Sequence, residues 1–219
     1  MIPRILHAWW GGPPMPESLQ ANLDRWRELH PKWTFRLWTP ETTPKLRNQD
    51  LYDNPEQYSA ASNPWQWRSD LARYEILYDH GGVYIDCDLE PLRPIDDLMD
   101  GHEAVIAREC QRFVNNAFIG VTAKSRFMAS VLKGLRRSVL GQPNARVNRQ
   151  IGAYYLTRLV RRHPEVRVLP PEIIYPEHWS NLDALNEPPP PEAYTRHHWF
   201  NKQRESGHGG SISATQKPQ

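Results

Sequence analysis

The sequence predicts an α/β protein on a mostly parallel central sheet, and three stretches carry that expectation. "RILHAWWGG", a helical repeat after Pro16 and "WTFRLW" give the order strand, helix, strand within the first 38 residues. Such a unit joins parallel neighbours by a right-handed crossover. Further on, the apolar run "VYID" comes after a long helical stretch, which adds another strand in the same manner. A chain of 219 residues can bury one substantial core, so residues 1–205 are expected to form one domain. The glycine- and serine-rich stretch 206–219 is expected to be a disordered tail.

Each element has its own signals. The first strand ends at the Gly11-Gly12 turn. Leu19, Leu23, Trp26 and Leu29 recur at helical spacing, and His30-Pro31 stops that helix. "WTFRLW" alternates Trp33, Phe35 and Leu37 with Thr34, Arg36 and Trp38, a strand period. "SNPWQWRSDLARYEILYDHGG" carries the punctuation of a whole helix: Asn63 as N-cap, Pro64 at the first position and Gly81 past the end. Trp67, Leu71, Tyr74, Leu77 and Tyr78 form its apolar stripe, with Asp70 and Arg73 neighbours at the stripe's edge. "RFMASVLKGLRRSVL" and "IGAYYLTRLVRR" read as basic helices, and the chain becomes loop-rich beyond Pro170, with Pro188–Pro191 as a rigid spacer.

Composition narrows the classes of function. No run of about 18 apolar residues is present, which predicts no membrane span. The N-terminus lacks the pattern of a signal peptide, so a cytoplasmic protein is expected. Cys87 and Cys110 are the only cysteines, too few for a disulfide scaffold or a zinc cage, and reduced thiols are expected. Charge is divided unevenly: residues 1–110 hold 11 Lys/Arg against 18 Asp/Glu, and residues 111–219 hold 16 against 7. An acidic half suits a cation site and a basic half suits phosphates, although solvated helix faces would produce the same asymmetry.

The acidic half contains "GGVYIDCDLEPL". On a continuing strand Asp86 and Asp88 would project to one face and Cys87 to the other. Two carboxylates so close raise each other's pKa unless a cation compensates, and oxygen ligands suit Mg²⁺ or Mn²⁺ held together with substrate phosphates. A solvated pair capping the next turn would share the spacing, so the pair alone does not decide.

Its context does more. "SDLARYEILYDHGGVYIDCDLEPL" resembles the signature of glycosyltransferase family 32, the transferases with an Asp-x-Asp sugar-binding motif, at Ser69, Asp70, Arg73, Tyr74, Gly81, Gly82, Tyr84, Asp86 and Asp88. "IPRILHAWWGG", "NNAF", "IGAYYLTRL" and "YTRHHW" resemble further family segments in the same order. The resemblance implies a GT-A fold, an α/β/α sandwich, with a nucleotide-sugar donor (UDP or GDP), a divalent metal, usually Mn²⁺, and transfer with retention at the anomeric carbon. It implies that Trp10 stacks on the donor base, although core packing is the other reading of that residue. It places Ser69, Asp70, Arg73 and Asn116 at the sugar, Tyr84 and Asp86 at the ribose and sugar, and Asp88 on the metal. Asp70, Arg73, Asp86 and Asp88 thereby become the candidate catalytic set, though Asp70 and Arg73 could be a simple helical ion pair.

Two segments depart from the family pattern. The usual His-His-Trp-x-x-Ser-Trp reads "HHWFNKQ", with Lys202 and Gln203 at the last two places. His197 or His198 is then the candidate to complete the metal shell, unless both are structural, and Lys202 the candidate to neutralise the diphosphate. Ala153 replaces the family's proline, a change expected to be minor. The acceptor is not marked: a glycan, a lipid-linked sugar or a protein side chain would fit. A nucleic acid is a further alternative, raised by the basic stretch from Arg112 to Arg167, where Glu165 is the single acidic residue.

Overall fold

The helix Pro64–His80 shows how local sequence fixes an element and aims the strand after it. In this computed structural model, which describes residues 1–58 and 63–205, the Asn63 side chain accepts the Trp65 N–H at 3.0 Å. Pro64 occupies the first turn, and Gly81 ends the helix at φ 64°. Gly82 comes next at φ 93°. A Cβ on Gly81 would fall 2.5 Å from the Ala123 nitrogen, and one on Gly82 2.5 Å from the Ile5 carbonyl. Only glycine fits both the left-handed backbone and the close approach, so the pair sets the angle at which the next strand enters the sheet.

Among the described residues the strands are β1 (Ile5–Trp9), β2 (Thr34–Trp38), β3 (Gly82–Ile85), β4 (Leu89–Pro91), β5 (Ala104–Arg108), β6 (Val114–Val121), β7 (Val166–Leu169) and β8 (Thr195–His197). Six of them form one sheet in the order β2-β1-β3-β6-β5-β7. β1 is parallel to β2 and β3, and β5 to β7, whereas β6 runs antiparallel to both of its neighbours. The sheet is therefore mostly parallel, as the sequence predicts, with one reversed strand. β4 and β8 pair antiparallel in a separate two-stranded sheet.

Strand alternation sorts side chains to two apolar clusters, one on each face. Tyr84 and Ile106 join the cluster that contains Trp67, Leu71 and Tyr74 of the Pro64–His80 helix. Val83, Ile85 and Val105 join the other, with Leu19, Leu23 and Trp26 of the helix Glu17–Leu29. Helices on both faces of a mostly parallel sheet give the α/β/α sandwich. Each fully buried leucine or tryptophan stabilises it by roughly 1.5–3 kcal/mol.

The two basic helices form as predicted, at Arg126–Leu140 and Ala153–Val160, and expose Lys133, Arg137 and Arg158. Ala153 stands at the first helical position, where a proline would lose no hydrogen bond, so the departure from the family's residue is structurally minor. No helix of the described residues is long and apolar enough to cross a membrane. The expected tail at 206–219 lies outside the described residues.

Under the sheet, His7 is wholly buried, with Nε2 donating to the Gly81 carbonyl at 2.9 Å and Nδ1 accepting from Trp38 Nε1 at 3.1 Å. Burial holds its pKa down at about 4, against the Gly81 hydrogen bond that favours charge. Between pH ~6.5 and pH ~4 the unfolded chain binds a proton at His7 that the folded chain does not, so stability falls as pH drops through that window. The loss is up to ~3 kcal/mol. Urea midpoints measured at pH 7 and pH 4.5 should show it, and His7→Gln should flatten the slope.

Candidate active site

The acidic pair does not lie on a strand. β3 ends at Ile85, and Asp86 to Leu89 form a turn closed by the Leu89 N–H on the Asp86 carbonyl at 3.0 Å, which corrects the expectation of a strand running through Asp88. The helix Glu17–Leu29 braces this turn from below. Asn22 Nδ2 donates to the Cys87 carbonyl at 3.3 Å and Trp26 Nε1 to the Leu89 carbonyl at 2.7 Å. Cys87 is buried in the lower cluster, with Sγ 3.6 Å from the Trp9 carbonyl, so the carboxylates alone face the site.

The helix Pro64–His80 supplies the second part. Arg73, 2% exposed, sends Nη2 to Asp70 at 2.8 Å, to Asp86 at 3.1 Å and to Ser69 Oγ at 3.2 Å, while Nη1 donates to the Asn116 carbonyl at 2.7 Å. Its guanidinium lies 4.5 Å above the centre of the buried Tyr84 ring. Asn116 Nδ2 returns to Asp70 Oδ1 at 2.8 Å. Thus Ser69, Asp70, Arg73, Tyr84, Asp86 and Asn116, predicted from separate stretches, form one connected network.

The third part is the C-terminal segment. β8 pairs Leu89 with His197, and the His198 N–H meets the Asp88 carbonyl at 2.9 Å. His197 Nε2 lies 3.1 Å from Asp88 Oδ1, and the Phe200 N–H donates to Asp88 Oδ2 at 2.8 Å. His198 turns the other way, to Glu90 Oε2 at 3.0 Å, and so stands outside the cluster; of the two candidate histidines, His197 is the one beside the aspartates. Between them and the last helix, buried Trp199 adopts φ 53°, a left-handed backbone that bulky residues rarely take, and packs its ring 4.1 Å from that of His197. Lys202 stands on the helix Phe200–Glu205 with Nζ 5.8 Å from the Trp179 ring centre. Trp10 lies just past the end of β1, half-buried, its Nε1 donating to the Pro13 carbonyl at 2.9 Å.

Residues 16–105 match the family described as glycosyltransferase sugar-binding region containing DXD motif. That stretch is similar to the sugar-binding region of the DXD glycosyltransferases. Inositol phosphoceramide mannosyltransferase 3 of Schizosaccharomyces pombe is 31% identical over 137 residues, covering 62% of this chain and 38% of its own. Lactosylceramide 4-alpha-galactosyltransferase of Homo sapiens is 24% identical over 156 residues, covering 64% and 42%. The chain spans about two fifths of the length of these curated relatives. Among solved structures, the galactosyltransferase LgtC superposes with TM-score 0.55 at 9% identity over 97% of this chain and 98% of that one. PaToxG glycosyltransferase gives 0.58 at 16%, over 74% and 69%. These likenesses establish the GT-A fold that the sequence resemblance implies.

Electrostatics separate the two aspartates of the DXD turn. Burial raises Asp86, with Arg73 opposing and the Asp88 charge adding to the rise. Burial pushes Asp88 up as well, but the His197 charge, its hydrogen bond and the Phe200 N–H overcome that and hold it at about 2. His197 is raised in turn: burial works against its charge, and Asp88 outweighs burial. Asp70 stands at about 6, because burial penalises its carboxylate more than Arg73 offsets. Arg73 beside Asp86 and the His197 ring beside Asp88 are the groups that offset the two carboxylates.

The donor set also fits a metal. One ligand atom each from Asp86, Asp88 and His197 lies within 4.8 Å of the others. His197 Nδ1 is buried without a hydrogen-bond partner among the described residues, which leaves one polar atom beside the aspartates unsatisfied. Sequence reasoning does not find Asn115, Glu109 or the Phe200 N–H. Asn115 donates to Glu109 Oε2 at 2.7 Å beside the network, and its only signal is its place next to Asn116.

Arg73→Ala would leave Asp70 buried without its cation. We expect a loss of ~3–5 kcal/mol in unfolding free energy by urea denaturation. The deficit should deepen as pH rises, because the stranded carboxyls take up protons at low pH, and Arg73→Lys should recover part of it.

Proposed function

We propose that this chain is a metal-dependent retaining glycosyltransferase that moves a hexose from a nucleotide-sugar donor to a lipid-linked or glycan acceptor. The observation that carries the reading is the convergence of Asp86, Asp88 and His197 beside the buried Ser69–Asp70–Arg73–Asn116 network. Asp88, His197 and Asp86 would hold the ion. Two carboxylates favour Mg²⁺ or Mn²⁺, and the imidazole favours Mn²⁺ of the two. Bound there, the ion would neutralise charge developing on the departing diphosphate.

This chain's own residues do the remaining work. Asp70 and the Arg73 guanidinium offer an acceptor and donors to sugar hydroxyls at a depth where water is excluded, and Asn116 fixes the Asp70 carboxylate. Tyr84, packed under Arg73, keeps the guanidinium in place. Trp10 is assigned the donor base and Lys202 the diphosphate. Both are polar-tipped and partly exposed, Trp10 just past β1 and Lys202 on the helix Phe200–Glu205 whose first N–H meets Asp88. No protein base is required if the leaving phosphate takes the acceptor's proton. Retention is supported by the alpha linkage in the name of the galactosyltransferase relative, since common nucleotide hexoses carry the sugar as the α-anomer. The lipid acceptors in the relatives' names support a lipid-linked or glycan acceptor here, whereas a nucleic-acid acceptor rests on exposed charge alone and is not carried forward.

Purified protein incubated with Mn²⁺ and UDP- or GDP-hexoses should release nucleoside diphosphate, and EDTA should stop it until Mn²⁺ is restored. Asp88→Asn should lower turnover at least ~100-fold, the effect of removing several kcal/mol of charge stabilisation, with an unchanged circular dichroism spectrum. Turnover that survives in that variant overturns the metal assignment. Tight donor binding without turnover across an acceptor panel would make the chain a sugar-nucleotide binding module instead.

A further inference from the structure

A second group of potential ligands lies beside the DXD turn and contains none of its residues. Glu109 and Cys110 occupy the hairpin between β5 and β6, where both backbone N–H groups meet the Phe113 carbonyl, at 2.9 and 3.5 Å. His178 comes from the loop after Tyr175. One ligand atom each from Glu109, Cys110 and His178 lies within 4.8 Å of the others, and all three residues are partly exposed, within reach of a dissolved ion. Neither cysteine forms a disulfide, so the Cys110 sulfur is available.

Two of the three are oriented by a further partner, as metal ligands commonly are. Asn115 Nδ2 holds Glu109 Oε2 at 2.7 Å and leaves the other carboxylate oxygen for a ligand. His178 Nδ1 accepts the Ser180 N–H at 3.3 Å and lies 2.7 Å from Ser180 Oγ, so the ring is held from its Nδ1 side. Binding a metal at Nε2 moves the ring proton to Nδ1, where Ser180 Oγ is the acceptor. Burial lowers the His178 pKa, which keeps the imidazole neutral, the form that binds metals.

The chemistry of this set differs from that at Asp86 and Asp88. Thiolate, imidazole and carboxylate together are the ligands of Zn²⁺, and three of them leave a fourth position open. A thiolate does not suit Mn²⁺ or Mg²⁺. Two cysteines could not make a zinc cage by themselves, but one cysteine with a histidine and a glutamate from distant segments can make a three-ligand site. We propose that Glu109, Cys110 and His178 form a second metal site, taking Zn²⁺, that ties the β5–β6 hairpin to the loop bearing the exposed Trp179. Joining two segments far apart in sequence restrains both, and both border the donor network: Glu109 through Asn115, and His178 through the Trp199 ring 6.4 Å away.

Cobalt substitution tests the site without reference to activity. Co²⁺ added to the metal-free full chain should give a near-ultraviolet thiolate-to-cobalt band and strong visible bands of a four-coordinate ion, both erased by Zn²⁺. Cys110→Ser should remove the near-ultraviolet band, and His178→Ala should weaken Zn²⁺ binding by calorimetry at least ~10-fold. Asp88→Asn should keep the band, which separates this site from the one at the DXD turn. Zn²⁺ should also raise the thermal midpoint of the wild type and of Asp88→Asn, but not of Cys110→Ser. The proposal is overturned if the thiolate band is missing, if it is lost in Asp88→Asn, or if folded Cys110→Ser binds Zn²⁺ as tightly as the wild type.

Discussion

The Arg73 guanidinium is buried where a cation would ordinarily be costly, and the network around it is organised to neutralise it. Asp70 and Asp86 lie within 3.1 Å, and the Ser69 hydroxyl, the Asn116 carbonyl and the Tyr84 ring occupy its remaining directions. A buried charge is tolerated only with such partners, and these come from several different elements. One side chain thus ties the Pro64–His80 helix to the turn after β3 and to β6. Asp86 is held by Arg73 on one side and repelled by Asp88 on the other, which leaves the second aspartate to find its compensation elsewhere.

That compensation comes from the C-terminal segment. β8 pairs with β4, the strand that begins immediately after the acidic turn, so the register that puts Leu89 opposite His197 also puts the imidazole beside Asp88. The left-handed Trp199 then turns the backbone so that the Phe200 N–H reaches the other Asp88 oxygen. A bulky residue in that conformation costs of order 1–3 kcal/mol, offset here by ring packing and by the Nε1 hydrogen bond to the Glu177 carbonyl at 2.9 Å. Register brings His197 to one Asp88 oxygen, and the left-handed Trp199 brings the Phe200 N–H to the other.

Much of the site is legible in the chain wherever its residues sit close together or carry a motif. Asn63, Pro64 and Gly81 bound the helix as capping chemistry requires, and the spacing of Asp70 and Arg73 makes them neighbours on any helix. The turn at Asp86 reads as strand in the sequence, because period-two spacing looks the same whether the chain continues extended or reverses after Ile85. The choice between His197 and His198 cannot be made from sequence, since adjacent residues on a strand face opposite ways and only the register with β4 selects one. Glu109 and His178 carry no local signal, because what makes them notable is their closeness in space to each other and to Cys110.

The sequence by itself determined the α/β class, the bounds of the long helices, the glycine pair that admits β3 and the pairing of Asp70 with Arg73. Those depend on interactions between residues a few positions apart, where spacing and backbone preference are decisive. Tertiary structure alone decided the reversal of β6, the choice of His197 over His198, the Phe200 N–H on Asp88 and the grouping of Glu109, Cys110 and His178. Each depends on contacts between segments that the chain separates widely. Which of many compatible contacts forms is set by burial, sheet register and charge compensation acting across the whole fold.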